Sequence, residues 1–282
     1  MTKIGLLHTG IRNEEKLLLQ AANTQGVELN MIDIRSVKLT PSNVSEWDSY
    51  DVFLERSISS VRGNAVISFL SDLNLPVINT QSVMEICNDK FRTACILEAH
   101  NVPVVRSILV FNEETAKEAT KELGGFPVVT KSREGSWGRL MALVNDADAL
   151  ESVFSHRAFM GPEQSAVIIQ EYINKKESRD IRAFVIDGRC ICAIYRTSPH
   201  WITNTARGGV TSNCLVNDEL QAICKAASDA VGGGILAMDI FETDSGYVIN
   251  EINHTMEFKN SEDPTGVSIS GEIISYCRNY NA

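Results

Sequence analysis

The segment that most constrains this chain is Ile235 to Asn253, two β-rich runs on either side of Asp244-Ser245-Gly246. The glycine stands where a tight turn needs positive φ, so the pattern predicts a hairpin. With those three residues as the loop, Thr243 faces Tyr247, and counting back by twos sets Asp239 opposite Glu251. Asn253 lies two residues beyond Glu251 and shares its face. One face then carries two carboxylates and an amide oxygen, hard oxygen ligands that suit Mg²⁺ with substrate phosphates rather than zinc. A loop of two or four residues would instead put Asp239 and Glu251 on opposite faces, leaving a solvated edge with incidental acids.

Upstream, strands predicted over 3–8, 28–34, 51–55 and 76–79 alternate with helices over 13–23 and 61–73. That alternation implies a small parallel α/β layer. His8, Arg12 and Arg56 fall at or just after strand ends, where open α/β sheets bind ligands. Polar surface loops are the plainer account, and the favoured one for His8. Helical patterns over 82–88 and 91–100 flank Asp89-Lys90.

A second unit has strands at 107–111, 126–131 and 139–144 and helices at 113–123 and 146–156. A glycine-punctuated loop, 132–138, follows Lys131; its backbone N–H groups can approach phosphate oxygens beside the lysine charge. No G-K-[ST] opens a helix, so it is not a Walker A loop. A third unit is expected to open with a strand at 166–173. It continues through an alternating pair around Asp187-Gly188, which places Arg182 and Arg196 on one side of a sheet. The donor-rich, aperiodic stretch 198–209 reads as a functional loop. A helix over 218–231 ends at three glycines before the late hairpin, and a final helix runs from about 268 to 280. The expected divisions are 1–86, 87–162 and 163–282.

Bulk properties exclude several function classes. The net charge of −10 argues against nucleic acid as a main partner, because phosphate binding needs a basic footprint. No stretch has the apolar length of a membrane span, and a cytoplasmic location is the expectation. Seven cysteines without C-x-x-C spacing fit a reduced compartment, with Cys190 and Cys192 alternating onto one face of a strand.

Lys90; Lys131 with Gly135-Ser136-Trp137-Gly138; Gln170-Glu171-Tyr172-Ile173; and Asp239, Glu251 and Asn253 occur in an order that resembles the ATP-grasp superfamily over essentially the full chain. Arg179-Asp180-Ile181-Arg182, the stretch from His200 to Gly209, and the stretch from Asn250 to Ser261 narrow the resemblance to RimK-like ligases. Within these it is nearest the LysX ligases of lysine biosynthesis. The resemblance implies an α/β ATP-grasp fold of three domains. The first holds an open parallel-type sheet, and the nucleotide is clasped between the other two.

It further implies that ATP phosphorylates the side-chain carboxylate of the C-terminal glutamate of a small acidic carrier protein, LysW. The α-amine of L-2-aminoadipate then attacks the acyl phosphate. Lys90 and Lys131 would neutralise phosphates, with Mg²⁺ on Asp239, Glu251 and Asn253. Glu171 and the backbone of Tyr172 and Ile173 would receive adenine, with Gln170 beside them in the ATP-binding set. Arg179, Asp180 and Asn204 join the nucleotide set, with an acid of 177–180 serving the ribose. Arg196 and Arg207 would balance the carboxylates and the tetrahedral intermediate. Thr205, Ala206, Asn253, Thr255, Glu257, Phe258, Asn260 and Ser261, with Arg196, would form the amino-acid pocket.

In that family Asn-Ser or Asn-Thr after Glu-Phe-Lys accompanies aminoadipate, and Gly-Phe accompanies glutamate. Asn260-Ser261 therefore implies aminoadipate, with L-glutamate as the alternative acceptor. Other readings are glutamate addition to a protein tail or a non-catalytic ATP-binding regulator. Assembly into a homo-oligomer is expected. An acidic chain meeting an acidic carrier implies a local basic entrance, for which Arg182, Arg189 and Arg207 are candidates.

Overall fold

The computed structural model describes residues 2–41, 44–135, 138–204 and 208–280. β1 (Lys3–His8) is buried on both faces from Ile4 onward, as a strand between two helical layers must be. After it come α1 (Asn13–Gln25), β2 (Glu28–Asp33), β3 (Val52–Glu55), α2 (Ser60–Asp72) and β4 (Val77–Ile78). The strands pair in parallel in the order β2-β1-β3-β4. The connections leave β1 in opposite directions across the sheet, opening a crevice between the loops that follow β1 and β3. His8 lies at that crevice and is buried, so the expected exposed position is corrected.

Two short helices, α3 (Gln81–Asn88) and α4 (Lys90–Ala99), lead to β5 (Ser107–Val110), α5 (Glu113–Glu122), β6 (Val128–Ser132), β7 (Ala142–Val144), α6 (Ala147–Ala158) and β8 (Val167–Glu171). β8 lies between β5 and β6, antiparallel to both, in the order β5-β8-β6-β7. The strand expected to open the third unit therefore completes the central sheet. Its alternation could not reveal this, because partner choice is non-local.

The remaining sheet is antiparallel, β11-β10-β9-β12-β13, formed by β9 (Arg179–Ile186), β10 (Arg189–Thr197), β11 (Val210–Cys214), β12 (Ile235–Thr243) and β13 (Gly246–Asn253). α7 (Asp218–Val231) packs on one face. The β9–β10 turn falls at Asp187-Gly188 as expected. A bulge between Cys190 and Cys192 then sends their side chains into two different cores, so the expected shared face is wrong.

α8 (Glu262–Thr265) precedes α9 (Ile269–Arg278), which returns to the first sheet. Ile269, Ile273 and Cys277 of α9 pack with Leu18 and Ala22 of α1 and with Phe184 of β9 in one core. A single buried side chain, Asn79, ties the two sheets together. Its amide donates to the carbonyls of Ile235 (2.8 Å) and His254 (2.7 Å), and its Oδ1 accepts from Ile235 N–H at 2.7 Å.

Replacing Asn79 by Ala strands three buried backbone groups at about 1–3 kcal/mol each. Urea unfolding of N79A should show a loss of about 3 kcal/mol or more.

Candidate active site

The late hairpin turns in two residues, Asp244-Ser245, with Thr243 paired to Gly246 and Glu242 to Tyr247. The expected three-residue loop is therefore wrong, and the expected consequence holds nonetheless. A bulge at Asn250 shifts the register between Asp239 and Ile240, and Asp239 faces Glu251. One error in the turn and one unpredicted bulge cancel. Asp239, Asn250, Glu251 and Asn253 all line one cleft. Among the described residues no group of three or more His, Cys, Asp or Glu is placed to hold a metal. Asp239, Glu251 and Asn253 supply the oxygen chemistry that suits a hard divalent cation, which would share the Asp239 oxygens with Arg182 and Arg196.

Strand register assembles a charge network beneath that set. Arg182 is paired across β9–β12 with Asp239, and Arg196 across β9–β10 with Asp180. Arg182 Nη1 lies 2.9 Å from Asp239 Oδ1, and Arg196 Nη2 lies 3.1 Å from Asp239 Oδ2. Arg196 also makes a bidentate pair with Asp180, both bonds at 2.8 Å. Burial works against every charge here. For Asp239 it is outweighed by Arg196 and Arg182, which hold the carboxyl below its usual range. For Arg196, Asp239 and Asp180 outweigh it, so the guanidinium stays charged. Arg182 Nε is a buried donor with no partner.

Two lysines stand together in the cleft. Lys90 opens α4, whose N-cap Asp89 accepts from the N–H groups of Phe91 and Arg92. Its Nζ donates to the Gly135 carbonyl and lies 3.5 Å from Glu251. Lys131, on β6, donates to Asn250 Oδ1 at 2.9 Å. Burial pulls its pKa down to about 8, with Glu251 opposing and Lys90 reinforcing the shift. Gly135 and Gly138 line the cleft, while Ser136 and Trp137 lie outside the described residues.

Gln170, Glu171, Tyr172 and Ile173 line the far wall. Arg179 does not join them. Alternation along β9 turns it to the opposite face from Asp180 and Arg182. There it stacks 3.7 Å from the Tyr195 ring centre and pairs with Glu242 and Glu177. Asp180 lines the cleft, but both its oxygens are engaged by Arg196 and Thr203, which makes it a structural anchor rather than a free ribose acceptor. Lys175 was not expected. It donates to the Trp201 carbonyl (2.6 Å) and Thr203 Oγ1 (2.9 Å), pinning the 201–204 stretch, and Asn204 reaches the cleft. A lysine in a polar run carries no sequence signal for that role.

The segment after β13 alternates. Met256 and Phe258 plunge into the core shared with the first sheet, while Thr255, Glu257, Asn260 and Ser261 line the cleft. Phe258 is therefore an anchor, with the Arg56 guanidinium above its ring, and not a pocket wall. The opposite side is the switch-point crevice, with Arg12 3.6 Å from Glu257, and with Ser57 and Ile58. Thr205, Ala206 and Arg207 lie outside the described residues. The proposed basic entrance is not assembled by its described members. Arg182 is held on Asp239, and Arg189 sits beside the Asp187-Gly188 turn against Glu272. Positive charge collects inside instead, where the described lining carries eight Lys or Arg against six Asp or Glu in a chain of net charge −10.

Lys131 is charged below pH 8 and loses its proton above it, taking a phosphate counter-charge with it. ATP affinity of the wild type should therefore weaken from pH 7 to 9.5, whereas K131R should show a flatter profile, read by calorimetric titration.

Comparisons with known proteins agree with this architecture. Residues 87–277 match the RimK-like ATP-grasp domain, and residues 4–86 match the LysX preATP-grasp domain. The α-aminoadipate–LysW ligase LysX of Saccharolobus solfataricus is 33% identical over 93% of this chain and 96% of its own length. The glutamate–LysW ligase ArgX of Sulfolobus acidocaldarius is also 33% identical, over 98% of both chains. Among solved structures, the RimK domain protein ATP-grasp from Sphaerobacter thermophilus superposes with a TM-score of 0.81 at 25% identity, covering 98% of this chain and 99% of that one. With its nucleotide-type cleft, paired lysines and facing acids, this chain belongs to the RimK-like ATP-grasp ligase family.

Proposed function

We propose that this ligase joins the α-amine of L-2-aminoadipate to the side-chain carboxylate of the C-terminal glutamate of a LysW-type carrier. One observation carries the reading. A single cleft runs from Gln170–Glu171 past Lys90 and Lys131 to Asn260 and Ser261, so a nucleotide and an amino acid can share it.

A carboxylate resists attack by an amine until phosphorylation turns its oxygen into a leaving group. In this reading Lys90 and Lys131 draw the triphosphate against the Gly135–Gly138 loop, screening charge that repels the incoming carboxylate. Asp239, Glu251 and Asn253 would hold Mg²⁺, which would supply further neutralisation of phosphate charge. Arg196 stays cationic beside Asp239, and the unpartnered Arg182 Nε offers a donor to a developing oxyanion. Loss of one such donor costs about 3 kcal/mol of transition-state stabilisation.

Glutamate is the second reading, favoured by the glutamate–LysW ligase relatives matching at the same identity. The two acceptors differ by one methylene, worth about 1–3 kcal/mol in a fitted pocket. Phosphate release with ATP, Mg²⁺ and purified carrier, run with each amino acid and matched to the mass gain on the carrier, separates them. Replacing Asn260-Ser261 by Gly-Phe should move relative kcat/KM toward glutamate by about tenfold or more.

A further inference from the structure

Amide formation has a requirement that the phosphate machinery does not meet. An α-amino group arrives protonated at neutral pH and has no lone pair to attack with until one proton leaves. The acceptor end of the cleft must offer a proton acceptor; of the six described cleft carboxylates, Glu134 and Glu171 stand beside Gly135 and Tyr172 on the nucleotide side, and Asp180, Asp239, Glu251 and Glu257 are engaged by cations.

The switch-point crevice holds one that is not consumed by a direct ion pair. Glu55 ends β3 and is 5% exposed, separated from the cleft by two hydroxyl groups that line it, Ser57 and Thr255. Its Oε1 accepts from the Ser57 N–H at 2.6 Å and from the Ser57 hydroxyl. Its Oε2 accepts from Thr255 Oγ1 at 3.1 Å. We propose that Glu55 accepts the proton of the attacking amine, relayed through the Ser57 hydroxyl, with Thr255 completing the shell that lets the carboxyl change state.

The hydrogen-bond chain behind Thr255 supports a two-state role. Asn88 Nδ2 donates to Asn64 Oδ1 (3.1 Å), so Asn88 Oδ1 is an acceptor for His254 Nε2–H at 3.0 Å. His254 Nδ1 is then a lone pair, 3.1 Å from Thr255 Oγ1. The single Thr255 proton thus has two claimants, Glu55 and His254. With Glu55 ionised, Thr255 donates to it. With Glu55 protonated on Oε1, the carboxyl donates back to Ser57 Oγ, and Thr255 is free to turn its proton to His254 Nδ1. The Glu55 carboxyl therefore has a partner in both states, accepting from Ser57 and Thr255 when ionised and donating to Ser57 Oγ when protonated.

The surroundings also bring the carboxyl within reach of the task. Burial pushes the Glu55 carboxyl up, against the Ser57 and Thr255 hydrogen bonds and the Arg56 charge. The charged neighbours are directed elsewhere: Arg56 is turned toward Glu15 and the Met256 carbonyl, its Nη2 left without a partner, and Arg12 is paired with Glu15 and Glu257. From α2 the contact is Gly63, where an added Cβ would lie 2.6 Å from Ser57 Oγ and 2.9 Å from Glu55 Oε1. The glycine is what lets the helix seat this close to the relay.

The step balances. The ammonium passes one proton to Ser57 Oγ as the Ser57 proton moves to Glu55, leaving a neutral amine. The amine lone pair forms the C–N bond, the carbonyl C–O bond to phosphorus breaks with its electrons on phosphate, and the second N–H proton leaves with that phosphate. Glu55 then returns its proton to solvent.

This inference rests on the acyl-phosphate reading above, and the test separates the two. Glu55→Gln keeps the shape and the partners of the protonated form but cannot take a proton. Aminolysis by aminoadipate should fall by about 100-fold or more in E55Q, and should rise with pH as the free amine becomes available. Capture of the acyl phosphate by hydroxylamine, a nucleophile uncharged at neutral pH, should proceed at the wild-type rate. Equal losses with both nucleophiles, or unchanged aminolysis, would overturn the relay. Failure of wild type to form hydroxamate with the carrier would count against the carrier reading alone. Calorimetry with free aminoadipate then still decides the role of Glu55: weaker binding of the ammonium form by at least tenfold in E55Q supports it, and equal affinity overturns it.

Discussion

Asp239 lies at the floor of the cleft with a guanidinium on each oxygen, and much of the C-terminal sheet is arranged so that this can be so. A carboxylate taken out of water needs cations close by, and two arginines taken out of water need more than one carboxylate between them. The solution is a ladder across three strands. Arg182 sits opposite Asp239, Arg196 opposite Asp180, and Arg196 reaches both acids. Removing one member leaves an uncompensated buried charge, a loss of about 3–5 kcal/mol in such networks. The same register that orients the site therefore also holds β9, β10 and β12 in alignment.

This electrostatic frame explains how an acidic protein handles anionic substrates. The cleft collects lysines and arginines from all three sheets or their connections: Arg12 after β1, Lys90 at the start of α4, Lys131 on β6, Lys175 before β9. None of these lies near another in sequence. Charge-focusing in a low-dielectric cleft depends on local density rather than net charge. Lys131 shows the consequence of bringing them together, since burial draws its pKa down toward the working range.

The joint between the first sheet and the last is equally economical. Asn79 links β4's end to β12 and to the exit of β13, while α9 closes over α1. The loops after β1 and β3 are thereby held against the segment 255–261. Glu55 and Ser57, from one end of the chain, meet Thr255, from the other. An acceptor pocket made this way has walls that no single stretch of sequence contains.

Much of this was legible beforehand for a physical reason: periodicity and turn chemistry are local. The parallel first layer, the Asp187-Gly188 hairpin and the α7 helix follow from side-chain alternation, glycine placement and capping. The errors share a cause as well. Arg179 and Asp180 are adjacent, and only the pleat decides which one sees the cleft. Cys190 and Cys192 read as one face until a bulge separates them. The late hairpin combines a shorter turn with a bulge at Asn250, and one compensates the other. The sequence by itself determined most of the elements, β11 and α8 excepted, and the oxygen-rich composition of the late hairpin, because those depend on neighbours along the chain, while its motifs carried the resemblance to the ligase family. The tertiary structure alone decided which sheet β8 joins, that Phe258 anchors rather than lines, and that Glu55 meets Thr255. Those depend on pairing energies between residues far apart in sequence, which no local pattern encodes.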